Sequence, residues 1–144
     1  MCYPKLIQGM MRIALVFLLL AGCGAHAAEP KPGAAFAGTI AMKTAGSAAI
    51  TFKISGDGRM IESLGISFTE IKCEGFSAGS SSSTVSGQYP ILDGKITINS
   101  SGIGEISGRF TSPTKADGSI HVLLSAGQGS SIECGTWNWS ATGN

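Results

Sequence analysis

The chain has 144 residues, which is enough for one domain with a single core. Ten basic and nine acidic side chains give a formal net charge of +1, and only 13% of the residues are charged. This balance lacks the basic surface that neutralises nucleic-acid phosphates, so nucleic-acid binding is not expected. The most apolar segment, 13–21, is far shorter than the roughly 20 residues that cross a bilayer, so no integral membrane helix is expected.

The N-terminal segment has the organisation of a signal peptide. Lys5 and Arg12 precede the apolar run Ile13–Leu20, which is followed by small residues and then by polar ones. A charged region, a short apolar region and a small-residue exit are typical of an export signal. We therefore expect residues 1–22 to be removed on export. The starting residue stays open between Met1, Met10 and Met11.

Two cleavage sites compete after the apolar run. Leu20–Cys23, with the sequence Leu-Ala-Gly-Cys, resembles the lipobox of bacterial lipoproteins, in which an acylated cysteine becomes the first mature residue. The resemblance implies a membrane anchor on Cys23, and Gly24 in place of an aspartate favours the outer membrane. Residues 23–34 are then the attachment and tether segment. Ala25–Ala27 resembles instead the Ala-x-Ala site of ordinary secretion, which would release a soluble periplasmic or secreted protein.

Apolar residues alternate with polar or small ones along much of residues 35–144. A period of two predicts half-buried strands, whereas no segment shows a convincing helical period. The sequence therefore predicts a single all-β domain over residues 35–144. The alternation is clearest at Phe36, Gly38 and Ile40, at Ile50, Phe52 and Ile54, at Leu64, Ile66 and Phe68, at Ile96 and Ile98, and at Ile120, Val122 and Leu124.

A loose repeat predicts three hairpins, over residues 37–52, 86–98 and 107–122. About eight or nine short antiparallel strands make either a β-sandwich or a closed β-barrel. Further strands are expected at Met60–Phe68, Ile71–Phe76 and Ile132–Ala141.

Turns and glycines divide these strands. Asp57-Gly58, Asp93-Gly94 and Asp117-Gly118 are each expected to form a tight hairpin turn with positive φ. Residues 78–83, with the sequence Ala-Gly-Ser-Ser-Ser-Ser, are expected to be an exposed loop. Glycines inside strands predict bulges or close backbone approach, as at Gly38, Gly87 and Gly108.

Cys73 and Cys134 follow Ile71 and Ile132 with inward parity. Two inward cysteines on separate strands of an exported protein most often form a disulfide, which we predict here. A nucleophilic Cys73 activated by His121 is the chemical alternative, and an oxidising compartment argues against it. Two cysteines and the one histidine of the β-domain leave a tetrahedral site one ligand short unless an acidic residue contributes, so neither metal nor cofactor is expected.

Trp137 and Trp139 occupy one face of their strand, opposite Cys134 if the strand is regular. Two exposed indoles could stack on sugar rings or on a partner, which makes a carbohydrate-binding module one alternative. The other alternative is a bulge at Gly135 that shifts the register and turns both indoles into the core. We favour the core, because a domain so poor in aromatic residues needs them there.

The titratable side chains show no catalytic pattern. Glu62, Glu70 and Glu74 could supply the two carboxylates that glycoside hydrolysis needs, but 70–74 alternates charged and apolar residues as an ordinary strand face does. His121 has outward parity on its strand. No nucleophile elbow, phosphate-binding loop, dinucleotide fingerprint or calcium loop occurs in the sequence. We therefore expect no catalytic residue and no enzymatic activity.

The exported start, the glycine-containing hairpins, the Asp-Gly turns and the Cys-Gly-x-Trp-x-Trp segment resemble small secreted bacterial β-domains rich in glycine and serine. The resemblance covers residues 36–142 and implies a fold and a location outside the cytoplasm, but no enzymatic reaction. We therefore expect an envelope-attached binding or scaffold domain whose partner is an envelope protein or a glycan. Ser86–Tyr89 is similar to a loop of periplasmic lysozyme inhibitors, although one residue shorter, so inhibition of a hydrolase is the alternative.

Overall fold

A computed structural model describes residues 27–43, 46–73 and 75–144, and within these ranges it contains ten β-strands and no helix. The all-β prediction is confirmed. The strands are β1 (Ala35–Ala41), β2 (Ala48–Ile54), β3 (Met60–Phe68), β4 (Ile71–Cys73), β5 (Phe76–Ala78), β6 (Ser81–Pro90), β7 (Lys95–Ser100), β8 (Gly104–Ser112), β9 (Lys115–Gly127) and β10 (Ser130–Gly143).

Eight of the strands form one antiparallel sheet in the order β6-β3-β2-β1-β10-β9-β8-β7. Strands β1 to β3 lie side by side in chain order, as do strands β7 to β10, and β1 pairs with β10 to join the two halves. The sheet curls into a nearly closed barrel, which decides between the two architectures left open by the sequence. Strands β4 and β5 form a separate hairpin between β3 and β6.

The inward-facing residues of every long strand except β6 supply buried side chains to the barrel interior. The predicted parity is confirmed, since β1, β2 and β7 bury alternate positions. Phe36 stacks on Phe52 with ring centroids 4.8 Å apart, and Phe110 meets both rings edge-on. Among the described residues, no polar or charged residue is buried. The interior is therefore an apolar core filled by the protein's own side chains.

The barrel is open along one seam, between β6 and β7. Asp93 and Gly94 both have positive φ, as a type I′ turn requires, and Leu92 and Lys95 exchange backbone hydrogen bonds across it. Pairing ends there. Ile91 donates its backbone N–H to the carbonyl of Arg59, which lies on the β3 side. Successive backbone nitrogens of a strand point to opposite sides, so the nitrogen of Pro90 points toward the seam. Proline has no N–H to donate, and the ladder cannot continue past it.

Three sequence predictions about this region are corrected. The hairpin expected over residues 86–98 has its turn, but β6 and β7 pair with β3 and β8 and not with each other. The loop expected over residues 78–83 is shorter, because Ser81–Ser83 pair with Phe68–Ile66. The single strand expected over Ile71–Phe76 is instead the paired β4 and β5, with Gly75 at positive φ between them.

Asp117-Gly118 is not a turn. Both residues lie inside β9, paired with Arg109 and Gly108 on one side and with β10 on the other. The chain turns at Pro113-Thr114 instead, and the hairpin predicted over residues 107–122 is otherwise present. Gly118 needs to be small for a different reason, because a Cβ atom there would meet the backbone of β8 first, overlapping the carbonyl oxygen of Ser107, and then the indole of Trp139.

One end of the barrel, called here the N-terminal end, is formed by residues 27–34 and by the turns at 55–59, 91–94 and 113–114. Ala28 donates its backbone N–H to the carbonyl of Phe110, Lys31 to that of Pro113 and Gly33 to that of Ser55, with N···O distances of 2.8 to 2.9 Å. Pro30 and Ala34 are buried. The part of the expected tether from residue 27 onward therefore packs against the barrel. The opposite end, called the far end, carries the β4–β5 hairpin and the turns at 101–103 and 128–129.

Candidate binding surfaces

The predicted disulfide between Cys73 and Cys134 is confirmed. It joins β4 to β10 with the two Cα atoms 5.0 Å apart. Ile71 of the same strand is 1% exposed and contributes to the core. The bond therefore fastens the β4–β5 hairpin over the far end of the barrel, and neither sulfur is available as a nucleophile.

Both indoles lie in the core, with Trp137 2% and Trp139 3% exposed. The register between β9 and β10 shifts between Glu133 and Gly135, and Gly135 has a φ of 96°. The predicted core position of the indoles requires such a bulge, because it reverses the parity of the residues after Gly135 and turns both indoles inward. A sugar-stacking platform built from exposed indoles is not what the structure presents.

Trp139 is held by its polar atom as well as by its rings. Its Nε1–H group lies 3.2 Å from the carbonyl oxygens of both Ser107 and Ser119. A Cβ atom on Gly108 would overlap the indole, and one on Gly118 would lie 2.8 Å from its Cε2 atom. The glycines therefore let the indole lie against the inner face of β8 and β9 while its N–H is satisfied.

The predicted acidic candidates do not converge. Glu62 pairs with Lys53 at 3.5 Å and Glu70 pairs with Lys72 at 3.0 Å, both on the exposed surface. Glu74 lies outside the described residues. Among the described residues, no three His, Cys, Asp or Glu side chains are grouped so that they could hold a metal ion.

His121 faces outward on β9, as predicted. Its Nε2 atom lies 3.1 Å from Oε1 of Glu133 on β10, whose side chain is well exposed. Neither partner is buried, so the pair is an ordinary surface contact between neighbouring strands.

The carboxylate of Asp57 is held by hydrogen bonds within the turn between β2 and β3. Ser55 donates its hydroxyl to the Asp57 carboxylate, and the backbone N–H of Arg59 donates to the same oxygen at 3.1 Å. These two hydrogen bonds, the hydroxyl one first, hold the pKa of Asp57 below its ordinary range because they favour the charged form. The arrangement fixes the turn between β2 and β3 at the N-terminal end.

A cleft of about 990 Å³ opens at the N-terminal end. It runs between residues 29–32 and the turns at 57–60 and 90–94, and both acidic and basic side chains line it. Leu92 stands on its rim with 68% of its surface exposed, and it is the one large hydrophobic residue of the described chain that is exposed. Leu92 could not be singled out from the sequence, because the adjacent Ile91 and Leu92 carry no periodic signal.

The free edge of β6 is the second candidate surface. In the described chain β6 pairs with β3 on one side and with no strand on the other. Residues 75–92 contain no Asp, Glu, Lys or Arg, so the edge lacks the charges that usually protect exposed edges. Pro90 was the available sequence signal, since a proline at the end of a strand marks an edge.

Cys23 and residues 1–22 lie outside the described residues, so the predicted anchor and signal peptide stay predictions. Within the part of the chain that is described, no helix is long and apolar enough to span a membrane. No family model matches the sequence, and no curated protein or solved structure shows significant similarity to it.

Proposed function

We propose that the protein is an exported envelope lipoprotein, anchored through Cys23, that acts by binding another envelope component and not by catalysis. The signal-peptide pattern before Cys23 supports the address. The packed interior supports surface recognition, because a barrel filled by its own side chains offers a ligand only its outside.

The unpaired edge of β6 is the observation that carries this proposal. An extended peptide can add to such an edge as a further strand, gaining backbone hydrogen bonds that the edge leaves unmade. Residues 81–88 have no strand partner on that side in the described chain, and Pro90 with the Asp93-Gly94 turn closes the seam at the N-terminal end. An extended segment of an envelope protein is therefore the partner that this surface fits best.

Charge placed on the edge tests the proposal. Thr84 and Ser86 are exposed on β6, and Thr136 and Asn138 are exposed on the central strand β10. We expect Thr84→Lys with Ser86→Lys to abolish capture of the envelope partner by the mature domain. Thr136→Lys with Asn138→Lys adds the same charge away from the edge and should leave capture intact.

Both double variants should fold normally, because exposed substitutions usually change stability by about 0.5 kcal/mol or less. Equal capture by the two variants would rule out the β6 edge as the binding surface. Loss with both would point to a general charge effect and would also contradict edge recognition.

Inhibition of a hydrolase is the second candidate, because Ser86–Tyr89 lies on this same edge strand. The register shift between Ile61 and Ser63 places Gly87 and Gln88 in a bulge. Lysozyme is therefore the first defined enzyme to test. If the domain inhibits it, Thr84→Lys with Ser86→Lys should relieve the inhibition, whereas an unaffected lysozyme removes this alternative.

A further inference from the structure

The chain leaves the barrel toward its N-terminus at one defined place. The hydrogen bonds of Ala28, Lys31 and Gly33 hold residues 28–33 across the N-terminal end. A Cβ atom on Gly94 would lie 2.5 Å from the carbonyl oxygen of Ala28, so this segment passes directly over the β6–β7 turn. Any anchor before Ala28 is therefore attached beside that turn.

The distance from that place to the anchor is short. Cys23 precedes Ala28 by five positions, and a fully extended chain advances by at most about 3.6 Å per residue, so the two residues are no more than about 18 Å apart. A barrel attached to lipid at Cys23 is held close to the bilayer, and the end nearest to it is the N-terminal end.

That end presents the exposed Leu92 described above. The cleft beside it is lined by three acidic side chains and one basic one, namely Glu29, Asp57, Asp93 and Arg59, so attraction to anionic lipid is not what holds this end at a membrane. Moving an exposed apolar side chain from water into the interfacial region of a bilayer lowers the free energy.

We infer that the N-terminal end of the anchored barrel lies against the membrane surface and that Leu92 enters the lipid interface. This inference rests on the proposed acylation of Cys23. It places the β6 edge on the side of the barrel, accessible to a partner, and turns the disulfide-bonded hairpin away from the membrane.

A single labelled cysteine tests this orientation in the full chain, exported and processed by its own leader. Cys73 and Cys134 are joined and Cys23 would be acylated, so Leu92→Cys supplies one free thiol for an environment-sensitive fluorophore. Ser101→Cys, exposed in a turn at the far end, is the matched control. Both proteins are placed in phosphatidylethanolamine–phosphatidylglycerol vesicles that contain a lipid with a nitroxide at the headgroup.

We expect the fluorophore at position 92 to be quenched severalfold more than the one at position 101, and its emission to shift to shorter wavelength. Intact mass, measured on the same samples, reports the acyl groups separately. Equal quenching at the two positions in acylated protein would overturn the orientation while leaving the anchor in place. A mass without acyl groups would overturn the anchor and this inference together.

The unsubstituted protein provides an independent measurement. In the same vesicles, the nitroxide lipid should broaden the amide NMR signals of residues 91–94 more than those of residues 101–103. The opposite pattern would overturn the orientation without reference to any variant.

Discussion

At the scale of single residues, the smallest side chains of this barrel are matched to its largest ones. Gly108 and Gly118 face the indole of Trp139, and Gly143 faces the ring of Phe36, where an added Cβ atom would lie 2.8 Å from the ring. Glycine inside a strand costs conformational entropy, so these positions are explained by the aromatic ring that approaches each of them and, at Gly118, by the still closer carbonyl oxygen of Ser107.

Gly108→Ala tests this pairing. The new methyl group would overlap the Trp139 indole, so the ring must move and strain its two hydrogen bonds. We expect the free energy of unfolding to fall by about 1–3 kcal/mol, as in other overpacked cores. Urea unfolding followed by tryptophan emission measures it. Gly102→Ala is the control, since nothing lies within 4 Å of its added Cβ atom. Equal stability of the two variants would contradict the packing described here.

Asp57 gives a residue-scale prediction in pH. The pKa of Asp57 is lower in the folded state than in the unfolded state, where it is about 4. The contribution of Asp57 to stability is therefore present above the unfolded-state pKa and is lost as the pH falls through the folded-state pKa. We expect Ser55→Ala to raise the Asp57 pKa toward its ordinary range, because the hydroxyl is its main stabilising partner. Carboxyl NMR titration measures this. An unchanged Asp57 pKa in that variant would show that the hydroxyl does not matter.

At the scale of elements, strand identity was predictable from local pattern and strand partners were not. Met60–Phe68 was predicted with its observed bounds, because Leu64, Ile66 and Phe68 alternate regularly, although a bulge near Ile61 shifts the parity at the start of the strand. The prediction of a hairpin over 86–98 was wrong. Strand β6 pairs with β3 and β7 pairs with β8, and Pro90 interrupts the hydrogen-bond ladder between β6 and β7. Closure into a barrel depends on the pairing of β1 with β10, which joins residues about a hundred positions apart and leaves no local trace.

For the candidate surfaces too, features set by one strand were predictable and features set by neighbouring strands were not. The inward cysteines were predictable from parity, which depends only on the strand that contains them. Parity alone left the two indoles open between an exposed face and a bulge at Gly135, and the scarcity of aromatic residues favoured the core. The free edge of β6 was not predicted, because an edge is defined by a missing neighbour, and Pro90 was the one local sign of it. Leu92 was missed for a similar reason, since its exposure depends on what packs beside the turn.

The disulfide gives the element-scale prediction. Cys73 and Cys134 are 61 residues apart, and closing a loop of that size stabilises the fold by about 4 kcal/mol in the chain-entropy model. We expect reduction to lower the urea midpoint accordingly and to release the β4–β5 hairpin from the far end. Cys73→Ser with Cys134→Ser is the control, because its midpoint should not respond to reductant. Stoichiometric thiol labelling of the unreduced, denatured protein would contradict the bond.

At the scale of the whole molecule, each end of the barrel is covered by a segment outside the eight-stranded sheet. Residues 27–34 cover the N-terminal end through backbone hydrogen bonds and the buried Pro30. The β4–β5 hairpin covers the far end through Ile71 and the disulfide. The two covers keep water from the ends of the apolar core, so the barrel should unfold in one cooperative step.

The N-terminal cover gives the last prediction. A chain that begins at Ala34 loses the hydrogen bonds donated by Ala28, Lys31 and Gly33 and uncovers the carbonyl of Phe110. At about 0.5–1.5 kcal/mol for each hydrogen bond, its free energy of unfolding should be about 2–4 kcal/mol lower than that of a chain beginning at Ala27. Urea unfolding of the two chains at the same pH measures the difference. Equal midpoints would show that residues 27–33 are only a tether, and the short reach from the barrel to Cys23 would then lengthen by the same seven residues.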